Sequence, residues 1–503
     1  MPGKKYLLGI DVGSSSVKAS LVEAATGRTV ASATSPKKEL EIVARKPGWA
    51  EQDPQTWWLH VKKAVAEIAS SGKSRMADVS AIGISYQMHG LVLVDKNKKV
   101  LRPSIIWCDS RAVEIGARAF GAIGAGQCLA RFLNSPGNFT ASKLKWVKDN
   151  EPAIYNRAHK MMLPGDYIAM MLTGEITTTP SGLSEGILWD FQSQSPASRI
   201  LDTLDLSHGL LPEVRPTFSV QGQLTKAAAR ELGLKPGVPI SYRGGDQPNN
   251  ALSLNVLNPG EVATTAGTSG VVYGVTDKAA YDGKSRVNSF VHVNYTRDKP
   301  RYGVLLCLNG TGILNSWVKH NVMTVNGKGL SYKEIDALAG SVPVGSDGLV
   351  ILPYGNGAER TLQNRNIGAS IQNLQFNVHT RAHVARAVQE GIVFALAYGL
   401  DIMRDMGVTV SKVRAGNANM FLSPLFAKAF ATVTGAQVEL YNTDGAAGAA
   451  RGAGIGAGIY RTPTAAFAGL KCTTRIDPVK KESDAYRDAY KKWREVLFRQ
   501  MGA

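Results

Sequence analysis

Two stretches decide how this chain reads: Asp11-Val12-Gly13-Ser14-Ser15-Ser16-Val17 near its start and Thr265-Ala266-Gly267-Thr268-Ser269-Gly270-Val271 past its middle. Laid in register, a glycine, a serine and a valine coincide, and Ser14 faces Thr268. The first stretch lies between apolar runs at 6–10 and 17–22, followed by Gly27 and another run at 28–33, which predicts a meander of antiparallel strands. The second follows a predicted strand at 238–243, a Gly244-Gly245-Asp246 turn, a helix opening at 248–254 and a predicted strand at 261–266. A match of this length is a weak sign of duplication by itself. At corresponding strand turns of two regions with the same order of elements, it predicts two related α/β domains facing one cleft, divided as 1–245 and 246–503.

Working outward, Asp53-Pro54 supplies an N-cap and a proline for the first helical position, which predicts a helix over 55–69. Strand patterns return at 79–85, 91–94 and 105–108. In the second half Ser331-Tyr332-Lys333-Glu334 is a capping box, 349–353 and 412–415 read as strands, and 380–406 reads as a long helix. Residues 445–460 are rich in glycine and alanine, fitting either a linker or a helix with close backbone approach; the position inside the second half favours the helix.

With 503 residues, 44% of them hydrophobic, the chain is long enough for two or three cores and has no segment of disordered composition. Its apolar runs fall short of a membrane span, and Asp11 and Gly13 interrupt the first of them before it could serve as an export signal. Cys108, Cys128, Cys307 and Cys472 are scattered without metal or disulfide spacing, which fits reduced thiols in a cytoplasm. Lysine and arginine exceed aspartate and glutamate by 58 to 40, giving +18. The positive residues are spread out, and the modest clusters at 143–148 and 480–499 read as solvated helix faces, so we expect no nucleic-acid partner. A positive field would also favour anionic ATP.

A turn of the type Asp-x-Gly-Ser/Thr-Ser between strands lets backbone N–H groups converge on phosphate oxygens, while its hydroxyls add donors and its aspartate can hold a hydrated Mg²⁺. One such turn is more often an ordinary hairpin; two at matched places change the balance. Neither Gly72-Lys73-Ser74 nor Gly283-Lys284-Ser285 is a P-loop, because Glu67 and Lys278 stand where the earlier glycine is needed, and both read as surface turns. No zinc-protease or serine-hydrolase signature occurs.

Over nearly its whole length the chain resembles the FGGY carbohydrate kinases. The resemblance rests on 9–18, Trp49-Ala50-Glu51-Gln52-Asp53-Pro54, Trp57-Trp58, Gln87-Met88-His89-Gly90, Arg102-Pro103, Trp107-Cys108-Asp109-Ser110-Arg111, Gly244-Gly245-Asp246, Gly267-Thr268-Ser269-Gly270 and Glu359-Arg360-Thr361. It implies two actin-like (ribonuclease H-like) ATPase domains with ATP, Mg²⁺ and a sugar in the cleft between them. Asp246 matches the proton acceptor, Asp11 the phosphate-loop aspartate near the metal, and Met88-His89 the sugar-contacting pair of the D-xylulose-specific members. Gln87, Gly90, Trp107 and Asp109 join the expected sugar set. Gly13, Ser14, Ser15, Lys18, Gly267, Thr268, Ser269 and Gly310 form the expected phosphate set, with Gly416, Asn417 and Asn419 toward adenosine.

The residues alone leave Asp246 equally a base or an N-cap, and a lone histidine such as His89 is more often a paired structural residue than a ligand, so it is the surrounding Gln-Met-His-Gly match that lifts it. The chain departs from the family pattern at Ala415-Gly416-Asn417-Ala418-Asn419-Met420, at Gln247-Pro248-Asn249-Asn250 and at Leu362. The expected activity is transfer of phosphate from ATP to D-xylulose. Competitors are a kinase for ribulose, gluconate, fuculose or glycerol, a non-catalytic ATP and sugar sensor, and an actin-like filament subunit. Sugar and ATP are the expected partners, with no membrane and with a homodimer left open.

Overall fold

The computed structural model describes residues 5–72, 76–325 and 328–502. Its first sheet holds β1 (Tyr6–Val12), β2 (Val17–Glu23), β3 (Thr29–Ser35), β4 (Val79–Tyr86), β5 (Phe218–Gln223) and β6 (Pro239–Gly245) in the order β5-β6-β4-β1-β2-β3. The strands β1, β2 and β3 are antiparallel neighbours, β4 runs parallel to β1, β6 runs parallel to β4, and β5 closes the edge antiparallel to β6. Nearly every residue of β1 and β4 is buried, as expected for parallel strands covered on both faces.

The second sheet repeats this plan. It contains β7 (Glu261–Ala266), β8 (Gly270–Thr276), β9 (Asn288–Val291), β10 (Tyr302–Leu308), β11 (Lys412–Gly416), β12 (Val438–Tyr441) and β13 (Cys472–Ile476), ordered β9-β10-β8-β7-β11-β12-β13. Here β7, β8 and β10 are the antiparallel meander, β11 lies parallel to β7, β12 parallel to β11, and β13 antiparallel to β12. The register between 11–17 and 265–271 therefore has a structural counterpart: the hairpins β1–β2 and β7–β8 occupy equivalent places.

The helices that position the site are α1 (Pro54–Ser70), α2 (Thr140–Asn150), α3 (Pro180–Glu185), α4 (Asp246–Ser253), α5 (Arg381–Asp405) and α6 (Gly445–Gly456). Asp53 caps α1 by accepting from the Gln55 amide at 2.9 Å, and Trp57, Val61, Ala64, Val65 and Ile68 form its buried stripe. The glycine- and alanine-rich segment is the helix α6, and it packs on β1, β4 and β6 of the first sheet. Only glycine on the strands permits this approach: a Cβ on Gly9 would lie 1.8 Å from the Ala446 carbonyl oxygen, and one on Gly83 would lie 2.0 Å from that of Ala449.

Several expectations change. Gly244 and Gly245 belong to β6 and Asp246 is the first residue of α4, so strand passes to helix without a turn. The strand expected over 105–108 is confined to Ser104–Ile105, because Trp107 and Cys108 turn away. The solvated-face reading of 143–148 fails at Lys143, whose side chain lies on the buried stripe of α2 with Thr140, Leu144 and Val147. Lys73 and Ser74 lie outside the described residues. All four cysteines are free thiols, and no helix among the described residues is long and apolar enough to cross a membrane.

Candidate active site

A cavity of about 850 Å³ opens between the two sheets, within the size range of small-molecule sites. Met88, His89, Trp107 and Phe139 come from the first half; Asp246, Ser269, Asn309 and Arg360 come from the second. No short motif holds the whole set, because apart from the adjacent Met88 and His89 its members come from different strand ends and loops.

Asp246 stands at the N-terminus of α4, where β6 delivers it to the cavity wall. Burial, reinforced by the Asp11 carboxylate, pushes its carboxyl up to about 7, although hydrogen bonding from Gln247 opposes the rise. Asp11 lies in β1 between its partners Lys18 and Ser85. Burial raises its pKa too, with the Ser85 hydroxyl and Lys18 pulling it back. A Cβ on Gly445 would lie 2.4 Å from Asp11 Oδ2, so the first residue of α6 closes against that carboxylate. Asn249 donates through Nδ2 to the Gly445 carbonyl at 2.8 Å, while its Oδ1 is buried with no hydrogen-bond partner among the described residues. The unusual Gln-Pro-Asn-Asn run thus seats Asn249 beside Asp11.

Behind Asp246 lies a carboxyl that sequence reasoning missed. Glu185, at the end of α3, is 1% exposed, and neither carboxyl oxygen has a hydrogen-bond partner among the described residues. Burial drives its pKa well above the usual carboxylate range, and Asp246 and Asp166 push it further despite the nearby Tyr86 hydroxyl. Burial thus favours its neutral form over the carboxylate.

His89 and Met88 follow the C-terminal end of β4, with Met88 packed against Gly245 just before Asp246. His89 Nδ1 lies 2.7 Å from the Glu185 carbonyl, which can only accept, so Nδ1 carries the proton. Burial first, and Lys143 second, hold the imidazole pKa down at about 3. The neutral ring therefore offers Nε2 as an acceptor, and its faces pack near Phe139 and Phe290 at centroid distances of 5.0 and 5.6 Å. Trp107 is 39% exposed on the same cavity and its Nε1 donates to Ser14 Oγ at 3.3 Å.

Three members of the expected sugar set do not line the cavity. Asp109 is wholly buried, accepting from the Ala50 amide at 2.6 Å and pairing with Arg111 at 2.6 Å. Arg111 also pairs with Glu51, which pairs with Arg102, and its guanidinium lies 3.7 Å from the Trp49 ring centroid. This buried ionic cluster accounts for the Trp-Ala-Glu-Gln, Arg-Pro and Trp-Cys-Asp-Ser-Arg motifs as scaffold. Gln87 donates from Nε2 to Gln52 Oε1 at 3.1 Å, and Gln52 Nε2 in turn holds the Ser14 carbonyl at 2.7 Å, linking the segment after β4 to the β1–β2 loop. Gly90 lies against Pro164.

In the first loop Gly13 N donates to Ser16 O at 3.0 Å, closing a tight turn whose Ser15 side is exposed, while Lys18 extends outward from β2. In the second, Gly267 O accepts from Gly312 N at 2.7 Å and from Thr311 Oγ1 at 2.8 Å, and Thr268 O accepts from Ile313 N at 3.3 Å, leaving the loop's own amides unspent in these contacts. Gly310 is a packing glycine, since a Cβ there would lie 1.5 Å from the Pro353 carbonyl; its neighbour Asn309 lines the cavity instead. Gly416 ends β11 with open space around it, Asn417 N donates to Tyr441 O at 2.8 Å, and the Asn419 amide stands beside Gly267. Lys284 and Ser285, expected in a plain surface turn, line the cavity.

Twin sheets of one topology, meeting at a cavity that holds an ionisable carboxylate, define a two-domain phosphotransferase. Residues 6–253 match the N-terminal domain, and residues 262–459 the C-terminal domain, of the FGGY family of carbohydrate kinases. The chain belongs to that family: it is an ATP-using carbohydrate kinase. It is 30% identical to a xylulose kinase of Klebsiella pneumoniae over 89% of this chain and 88% of that protein, and 30% identical to one of Escherichia coli (strain K12) over 91% and 90%. Among solved structures, the xylulose kinase of Rhodospirillum rubrum superposes with a TM-score of 0.88 at 26% identity, covering 99% of this chain and 100% of that one.

Proposed function

We propose that the protein phosphorylates D-xylulose to D-xylulose 5-phosphate, with 1–245 and 246–503 acting as the two bodies that close on the substrates. The observation that carries this reading is the meeting of Met88, His89 and Asp246 on one cavity wall, in a chain whose relatives over about nine-tenths of its length are named xylulose kinases. In this reading Met88 packs against the carbon face of the sugar and His89 Nε2 accepts a hydrogen bond from a sugar hydroxyl. The Asp246 carboxylate accepts the proton of the terminal hydroxyl as its oxygen bonds to the γ-phosphorus and the bond to the ADP oxygen breaks. The two hairpin loops, 13–15 and 267–269, present amides and hydroxyls to the phosphates, and Asn417 and Asn419 lie toward adenosine.

The residues also fit Mg²⁺. Asp11, Asp246 and the unpartnered Asn249 Oδ1 form an all-oxygen group, which suits a hard cation that keeps several waters and binds substrate phosphates. When bound, the ion would neutralise charge on the β- and γ-phosphates.

A pH dependence follows. The base must be ionised to accept a proton, and in the free protein burial and Asp11 raise the Asp246 carboxyl to about 7, so kcat/KM for the sugar should rise with pH through about 7 and level off above it. A kcat/KM unchanged from the usual carboxylate range upward would remove Asp246 as the base.

The substrate is tested by coupled ADP release with Mg-ATP and D-xylulose, D-ribulose, L-ribulose, L-fuculose, D-gluconate or glycerol. Preference for D-xylulose is expected. Preference for another member would keep the kinase and discard the assignment of Met88 and His89 to a pentulose.

A further inference from the structure

We propose that Lys143 is a positioning residue for the sugar subsite, its buried ammonium tying together the two strand-end loops that carry His89 and Trp107. Lys143 is 0% exposed, and its Nζ donates to the His89 carbonyl at 2.9 Å and to the Ile106 carbonyl at 2.9 Å. One bond lies on a proposed sugar ligand itself, and the other on the residue directly before Trp107. The inference rests on the assignment of Met88 and His89 to the sugar.

The geometry at His89 explains why such a tie is needed. Its φ is 60°, in the left-handed region that non-glycine residues enter at a cost, and strain of this kind persists only where the surroundings hold it. Two anchors act on the ring: the Glu185 carbonyl at Nδ1 and the flanking Phe139 and Phe290. Lys143 is the anchor on the backbone. Phe139 immediately precedes α2, so the helix that carries Lys143 also places an aromatic wall of the same subsite.

Its partners here are two neutral carbonyls, while the nearby Asp109 is already bonded to Arg111. A buried cation is costlier than a buried neutral donor, so a merely structural bridge gives no reason for the charge. The charge has a use at the imidazole, where Lys143 adds to burial in keeping His89 neutral and its Nε2 an acceptor. Burial brings the ammonium down to about 7; Asp109 and Cys108 oppose that fall and Arg111 adds to it, while Arg360 faces the same imidazole.

The test is initial-rate kinetics on Lys143→Met, which keeps length and removes the donor. The expected result is a rise of about tenfold or more in sugar KM, with kcat within about threefold and ATP KM unchanged. An unchanged sugar KM, or sugar and ATP KM rising together, overturns the proposal. If that variant does not fold, Lys143→Gln, which keeps an amide donor but lacks the flexible lysine stem needed to serve both carbonyls, carries the test. Sugar KM should rise by several-fold with ATP KM unchanged, and an unchanged sugar KM overturns the proposal. The sugar is D-xylulose. A wild type that turns over another sugar instead overturns the substrate assignment, and the same comparison with that sugar then decides Lys143.

Discussion

Asp246→Asn should lower kcat by about 10²- to 10⁴-fold or more, the range expected when a positioned general base is lost. Asparagine has nearly the same shape and keeps an acceptor for the Gln247 donors, and the N-cap, Gly245, is untouched, so α4 should form as before. The substitution also relieves repulsion with Asp11, which raises the carboxyl in the native protein. ATP affinity should stay within a few-fold and thermal stability should not fall. Coupled ADP release, calorimetry with ATP and a melting curve separate the possibilities. Retained turnover would remove Asp246 as the base, while lost turnover with a lower melting temperature would mean that its chief role is to hold the first turn of α4.

Much of the fold was legible because its signals are local. The meander of β1 to β3, the Asp53-Pro54 start of α1 and the Ser331–Glu334 capping box each lie within a few residues. The duplication could be read because the hairpins β1–β2 and β7–β8 keep their glycine and serine in register. Small side chains around 445–456 pointed to close packing, but not to the sheet that α6 would meet: it joins the first sheet although it follows β12 of the second. That contact is set by long-range topology, which no local pattern carries.

The site was legible where a residue sits at a strand end and hidden where its role depends on a distant neighbour. Asp246, Met88 and His89 stand at the ends of β6 and β4, as expected of ligand contacts in α/β sheets. Asp109 shares a motif with Trp107 yet points the other way, into the Arg111 and Glu51 cluster. Lys143 reads as part of a solvated face because Lys145 and Lys148 follow it. A signal was present: 140, 143, 144 and 147 form one helical stripe, and two of its residues, Leu144 and Val147, belong in a core. Glu185 had no such signal, because its neighbours Tyr86, Asp166 and Asp246 come from three other elements.

The contact between α6 and the first sheet should be intolerant of any side chain at Gly9. Gly9 and Gly83 are direct partners across the parallel strands β1 and β4, so together they form a flat floor under α6. On Gly9, a Cβ would lie 1.8 Å from the Ala446 carbonyl oxygen and 2.6 Å from the Ala450 nitrogen. Both obstacles are backbone, so no rotamer change relieves the clash; the helix must lift from the sheet. Lifting α6 also carries Gly445 away from Asp11 and strains the Asn249 bond to the Gly445 carbonyl. Gly9→Val should therefore cost about 4 kcal/mol or more, at the upper end for single substitutions, and should lower kcat in whatever fraction still folds. Gly121→Ala is the control: a Cβ there meets nothing within 4 Å inside a helix, so it should be neutral or stabilising by up to about 1 kcal/mol. Denaturant unfolding of both variants reads the difference. A loss below about 1 kcal/mol for Gly9→Val would mean that α6 can shift freely against the sheet, and the seat it gives Asp11 would then not be fixed by packing.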